Sequence, residues 1–243
     1  MANPYESERL LAEYLLFHYG SDGDIAGERL AALAPALGFP ARTAAAFSPG
    51  ETARGLDLGC AVGRSTFEMA RHCREVTGID FSRSFIQAAE TLRQGGRIAY
   101  RRLEEGHDTT ELAARAPADV DFSRVRFATG DAMNLPEHLG AFDRAHAANL
   151  LCRLPEPQRL LDRLPALVRP GGELVLATPC TWLAEYTPPA NWPTGSTFDW
   201  LQQRLGPHFD LVTARDEPFL IRETARKFQF TFSLLTVWRR KAI

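Results

Sequence analysis

At 243 residues the chain is long enough to bury a sizeable core, and one large α/β domain is a better expectation than two small ones. With 45% hydrophobic residues, 24% charged residues and a formal net charge of -2, the composition is that of an ordinary globular protein. It lacks the dense Lys/Arg that phosphate neutralisation demands, which argues against a nucleic-acid partner. No run of about 18 apolar residues occurs and the N-terminus opens on a charged helix pattern, so no membrane partner and a cytoplasmic location are expected. Cys60, Cys73, Cys152 and Cys180 are widely spaced and form no CxxC pair, which predicts reduced, mostly buried thiols and no metal site.

The first segment, "NPYESERLLAEYLLFHYG" (3–20), carries helix punctuation. Asn3 is placed to cap, Pro4 suits the first helical position, Glu6 sits where a capping-box acid would sit, and Gly20 is a natural stop. At 100° per residue, Leu10, Leu11, Tyr14, Leu15, Phe17 and His18 fall within one arc of about 160°, with His18 near its middle.

A second helical pattern covers 25–38, and "FPARTAAAFSPGET" (39–52) reads as a loop feeding the central region. Strands are predicted at Gly55–Leu58, Val76–Asp80, Val125–Thr129, Phe142–Ala147 and Glu173–Thr178, with helices at about 64–73, 83–94 and 156–168. Short apolar strands alternating with amphipathic helices imply a mostly parallel sheet covered on both faces. Residues 95–123 are long for a simple connection and read as an insertion, a hairpin of little functional weight. The tail from 209 onward looks like two long strands joined by Arg222–Arg226, an antiparallel hairpin at one sheet edge.

"RGLDLGCAVGRST" (54–66) puts a carboxylate at a strand end, then Gly59 and Gly63, then a Ser/Thr-led helix. A dinucleotide fingerprint would read GxGxxG; the spacing is DxGxxxG with Ala61 in the middle, and Asp57 would sit badly beside a pyrophosphate. An acid at this position suits a ligand carrying an ammonium and a sulfonium. The next strand ends in "TGIDFS", placing Asp80 where a carboxylate accepts from two ribose hydroxyls. The third ends in "TGDAM", where Asp131 suits an adenine amine, and the fourth in "AHAANLL", placing Asn149 at the same rim. Cys60, Phe81 and Ala132 flank these positions and are expected in the same site.

In this order the motifs resemble the class I methyltransferases over about residues 50–180. The resemblance implies a Rossmann-like α/β sheet, mostly parallel with an antiparallel C-terminal edge hairpin and an N-terminal helical extension. It implies S-adenosylmethionine as cofactor, with S-adenosylhomocysteine as product. The chain then divides into a helical cap (1–50), a cofactor-binding core (51–180) and a substrate loop with the final strands (181–243).

"NPYESERLLAEYLLFHYG", "TPCTWLAEYTPPANW" and "RETARKFQF" look like the mercaptohistidine N-methyltransferases of ovothiol biosynthesis. That family's activity is methylation of an imidazole nitrogen of 5-thiohistidine, giving ovothiol A, and an iron-dependent sulfoxide synthase is its functional partner. The loop departs from the family at "PTG" (193–195), where a glycine pair is expected. The resemblance implies His18 as base or ring hydrogen-bond partner and Tyr14 as an orienting phenol. It implies Tyr5, Phe17, Asn149 and Trp182 around the acceptor, and Arg226 on its α-carboxylate. A methyltransferase for another small acceptor is the alternative; a catechol enzyme would need a carboxylate-rich metal set that the sequence does not present.

Overall fold

In chain order the helices are α1 (Glu8–Tyr19), α2 (Asp22–Ile25), α3 (Phe39–Ala44), α4 (Arg64–Met69), α5 (Arg83–Arg93), α6 (Pro157–Leu167) and α7 (Thr197–Leu205). The strands are β1 (Thr52–Leu58), β2 (Cys73–Asp80), β3 (Ile98–Glu105), β4 (Asp108–Ala114), β5 (Val125–Thr129), β6 (Phe142–Ala148), β7 (Val168–Thr178), β8 (Phe209–Arg222) and β9 (Phe228–Arg240). The computed structural model describes residues 4–242, with the backbone alone for Pro4 and residues 28–31.

Seven strands form one sheet in the order β5-β2-β1-β6-β7-β9-β8. β5, β2, β1, β6 and β7 are mutually parallel, whereas β9 runs antiparallel to both β7 and β8. The strand order reverses between β1 and β6, and in such sheets the crevice beyond the strands' C-terminal ends at that point is where ligands bind. Leu56, Leu58, Leu174 and Leu176 have no exposure because helices cover both faces: α1, α3, α4 and α5 lie on one side, α6 and α7 on the other. Among the described residues no helix is long and apolar enough to cross a membrane.

The strands extend beyond their apolar runs. β1 begins at Thr52, β2 at Cys73 and β7 at Val168, because backbone pairing continues into ends where side chains meet solvent. The C-terminal hairpin closes the edge as expected, with β9 inside and β8 outermost.

Three helical expectations need correction. Residues 25–38 are not one α-helix: α2 ends at Ile25, Gly27 turns with φ 62°, and Glu28–Ala36 is a 3-10 stretch containing Pro35. The supposed loop 39–52 contains α3, which begins with Pro40 in its first turn, where a missing N–H costs nothing. Helix α1 starts at Glu8 with Ser7 as its cap, the hydroxyl accepting from the Leu10 N–H at 3.3 Å; Asn3 lies outside the described residues. Glu6 caps a different helix, accepting the backbone N–H groups of Arg83 and Ser84 at 2.9 and 3.2 Å at the start of α5. Burial opposes its charge, but those bonds outweigh it and hold the Glu6 carboxyl below its ordinary pKa.

The 95–123 insertion contains a hairpin of β3 and β4, which packs against α1. Arg102 on β3 donates to the Asp24 carbonyl at 2.7 Å, and Arg222 on β8 donates to that same carbonyl at 3.2 Å. Strands β3 and β8 also pack directly on α1, so Leu16, outside the expected apolar arc, is buried like Leu15.

Candidate functional site

The C-terminal ends of β1, β2, β5 and β6 open into a cavity of about 650 Å³, within the usual range for small-molecule sites. Gly59, Ala61, Asp80, Phe81, Asp131 and Ala132 form its rim on the sheet side. Tyr5, Tyr14, Phe17 and His18 form the facing wall, and Asn149, Arg153, Glu185 and Tyr186 complete it.

The glycine loop explains the rim. Gly59 has φ 67°, and a Cβ there would meet Leu150 at 3.0 Å. Ala61 is held at φ 48°, a left-handed conformation that costs an alanine roughly 1–2 kcal/mol. In that pose its N–H donates to Asp80 Oδ2 at 2.9 Å, while the Ser82 N–H donates to Oδ1 at 2.8 Å. Both oxygens of Asp80 are thus aimed by backbone before any ligand arrives. Burial pushes its carboxyl up to about 6 despite these bonds. Asp131 is oriented similarly by the Met133 N–H at 2.9 Å. Asn149, at φ 54°, accepts from Ser233 Oγ at 2.7 Å.

Aromatic contacts build the opposite wall. Tyr14 stacks on His18 with centroids 5.9 Å apart and meets Tyr5 edge-on at 6.1 Å and Phe85 at 4.7 Å. Phe17 contacts His18 edge-on at 5.4 Å. His18 is 9% exposed, and its Nδ1 is buried without a hydrogen-bond partner among the described residues. Burial pushes its pKa down to about 3, so at neutral pH it is an uncharged imidazole. Burial also raises Tyr5 to about 12 and holds Tyr14 higher still, keeping both as neutral phenols.

Both ends of α1 are fastened to the cofactor side. Tyr19 donates to the Val62 carbonyl at 2.7 Å, and Arg64 donates to the His18 carbonyl at 3.2 Å. At the other end the Tyr5 carbonyl accepts from Ser82 and Ser84 hydroxyls at 3.2 and 3.0 Å.

Five expected site residues stand off this cavity. Asp57 is 1% exposed and fully engaged: Ser65 and Thr66 hydroxyls donate to Oδ2 at 2.7 and 2.6 Å, and His146 Nδ1 lies 2.7 Å from Oδ1. Through these bonds it ties the glycine loop to β6 and α4. Gly63 is required by packing, since a Cβ there would sit 2.6 Å from Phe127. Cys60 is buried within the loop; Cys73 and Cys152 are also buried, whereas Cys180 is exposed. Trp182 donates to Thr197 Oγ1 at 3.0 Å and packs edge-on against Trp200, bracing α7. Arg226 lies exposed on the β8–β9 turn.

The basic group that does reach the cavity, Arg153, ends the short 3-10 turn after β6 and lies over the Tyr186 ring at 4.5 Å. No sequence motif distinguishes it from the other arginines. Among the described residues no group of three or more His, Cys, Asp or Glu side chains is placed to hold a metal ion.

Residues 56–174 match the family model described as a methyltransferase domain, on the sheet topology and rim described above. The chain has the class I methyltransferase fold. Its cofactor is S-adenosylmethionine, and the rim fits that group: a glycine turn open to close approach, with acids at successive strand ends. Among curated methyltransferases, the chain is 30% identical over 131 residues to the O-methyltransferase cnsE of Penicillium expansum, a match covering 54% of this chain and 39% of that protein. It is 26% identical over 123 residues to the ubiquinone biosynthesis O-methyltransferase of Coxiella burnetii, covering 51% of this chain and 42% of the relative. The match thus spans about two-fifths of the length of these relatives.

Solved class I structures agree in fold. The N-methyltransferase NodS from Bradyrhizobium japonicum superposes with a TM-score of 0.55 at 18% identity, covering 84% of this chain and 93% of NodS. The [4+2]-cyclase SpnF superposes with a TM-score of 0.58 at 16% identity, covering 96% of this chain and 93% of SpnF. A cyclase on this fold underlines that chemistry must be argued from the site.

Proposed function

We propose that the chain transfers a methyl group from S-adenosylmethionine to an imidazole ring nitrogen of 5-thiohistidine, giving ovothiol A and S-adenosylhomocysteine. The observation that carries this reading is the neutral, buried His18 with an unpartnered Nδ1, set in an aromatic wall across one cavity from the cofactor rim. A flat heteroaromatic acceptor gains stacking from such a wall and a hydrogen bond from such a nitrogen.

Methyl transfer makes a carbon–nitrogen bond on the acceptor while the carbon–sulfur bond of the donor breaks and sulfur keeps the electron pair. Alignment is the main demand, because the reacting atoms must lie in line. Asp80 holds the donor's ribose, Asp131 its adenine amine and Phe81 the base's face. Tyr14, Phe17 and His18 orient the acceptor ring. With a pKa near 3, His18 is too weak a base to take the ring proton, so its role is hydrogen bonding, and that proton leaves to water or the thiolate. The aromatic cover over the cavity excludes competing water.

Purified protein with S-adenosylmethionine should consume 5-thiohistidine, not histidine, and release one S-adenosylhomocysteine per N-methylated product, as followed by mass spectrometry. Equal turnover of histidine, or none with either, overturns the acceptor assignment. The O-methyltransferase relatives favour one second reading, methylation of a phenolic hydroxyl. Turnover of phenols alone in the same assay would establish it.

A further inference from the structure

Most buried charge in this molecule is cancelled in place. Arg42 pairs with Glu217, Arg102 and Arg222 with Glu104, and Arg239 with Glu173. Among the described residues Arg54 and Arg144 pair with no carboxylate but are held by backbone carbonyls, at 3.2 Å to Ala141 and 2.9 Å to Gly50. Arg153 has neither arrangement. Its guanidinium is half-buried in the cavity wall, 4.5 Å from the centre of the Tyr186 ring, and lies near enough to Tyr5 to act on its hydroxyl. Its one backbone bond, at 3.4 Å, goes to the carbonyl of its own neighbour Cys152. Among the described residues the groups that act on it most strongly are a thiol and three phenols, with no carboxylate among them. A guanidinium fork so oriented, with donors left over, matches the planar pair of oxygens of a carboxylate.

Glu185, on the loop after β7, lines the same cavity and has no hydrogen bond or ion pair among the described residues. A cation and an anion therefore face one cavity without neutralising each other. That arrangement complements a ligand carrying both charges, and it lies on the two loops that follow β6 and β7.

We infer that Arg153 anchors the carboxylate of the acceptor and Glu185 its ammonium, so that the pocket selects a free α-amino acid and presents its side-chain ring to the Tyr14–His18 wall. This rests on the methyl-transfer reading for the presence of an acceptor, but not on which ring atom reacts. Tyr186, under the guanidinium, and the neighbouring Tyr5 act as positioning residues.

The test is calorimetry on protein loaded with S-adenosylhomocysteine, with 5-thiohistidine, histidine, histamine (no carboxylate) and imidazolepropionate (no ammonium) as titrants. In the unaltered protein, loss of the carboxylate is expected to weaken binding on the order of 10- to 100-fold, the range of one hydrogen-bonded charge pair. Arg153→Gln should shrink that difference to about twofold while leaving S-adenosylhomocysteine affinity intact, which guards against misfolding, and Arg153→Lys should restore part of it. Glu185→Gln should erase the preference for ligands bearing the ammonium, and the exposed Arg226→Ala should behave like the unaltered protein. Histamine binding as tightly as histidine, an unchanged carboxylate preference in Arg153→Gln, or no binding of any carboxylate ligand overturns the inference. If the amino acids bind through Arg153 but 5-thiohistidine is not methylated, the acceptor assignment fails and the charge clamp stands.

Discussion

The rim of Gly59, Ala61, Asp80 and Asp131 and the wall of Tyr5, Tyr14, Phe17 and His18 bound the same cavity, yet they differ in how fully their polar atoms are used. On the rim, Asp80 accepts two backbone N–H groups and Asp131 one, and Asp57 behind them has three partners. Ligand atoms meet groups already aimed, so little is reorganised on binding. On the wall, His18 Nδ1 is buried and unpartnered, a state that costs a folded protein about 1–3 kcal/mol. On the proposed function, a cofactor common to many enzymes meets a rim aimed by backbone, and the acceptor meets side chains with bonding to spare.

The largest expected effect separates the two regions most sharply. Asp80→Ala should weaken S-adenosylhomocysteine binding at least about 100-fold, measured calorimetrically, because two charge-assisted ribose bonds disappear together. Unaltered affinity would show that the ribose does not lie at the end of β2. In the unaltered protein, affinity should be full above about pH 6 and fall as the pH drops through that value, since the carboxylate form accepts from hydroxyls and burial raises Asp80 to about 6.

His18→Phe tests the wall. Methyl transfer should fall on the order of 10- to 100-fold, with cofactor affinity unchanged, from loss of one hydrogen bond to the acceptor. Folding stability at pH 7 should hold steady or rise by about 1 kcal/mol, because the variant removes an unsatisfied buried nitrogen while keeping a ring. If stability falls by several kcal/mol and the remaining folded protein works normally, His18 is a core residue.

Acid unfolding sharpens the same contrast. The folded pKa of His18 is depressed to about 3 from an ordinary 6.5, so its contribution is intact above pH 6.5 and is lost as the pH falls toward 3. Asp80 works oppositely: its raised pKa makes folding less favourable as the pH rises from 3.8 toward 6. Between pH 7 and pH 5 the stability of His18→Phe relative to the unaltered protein should therefore grow by about 2 kcal/mol in urea titrations. A constant difference would mean that His18 is not buried as a neutral ring.

The smallest effect concerns Ala61, a left-handed alanine on the rim. Ala61→Gly should raise stability by about 1 kcal/mol, read as a higher urea midpoint, with cofactor binding changed little. A loss of stability would show that the alanine methyl contributes packing that outweighs its left-handed backbone.

The rim was legible in the sequence because each of its parts is local. A strand end, a tight turn and an acid occupy a few consecutive residues, and apolar periodicity marks the strands that carry them, so Asp80, Asp131 and Asn149, which line one cavity, stood out without knowledge of any long-range contact. The stripe of α1 was legible for the same reason, as a face of one helix. Local pattern did not reveal which residues meet across the chain. Arg153 and Arg226 look equivalent in sequence, but one ends a turn inside the cavity and the other lies on an exposed hairpin tip. Trp182 braces α7, a helix not anticipated from the sequence, instead of facing an acceptor. Glu6 caps α5, far along the chain, and the β3–β4 hairpin packs on α1. Asp57 carries the signature of a ligand contact, but its oxygens are taken by His146, Ser65 and Thr66, brought to it from β6 and α4. The sequence by itself determined the class I sheet, its cofactor rim and the aromatic helix. Tertiary structure alone decided which charges remain unpaired in the cavity, because that depends on partners contributed by distant segments, which no local periodicity records.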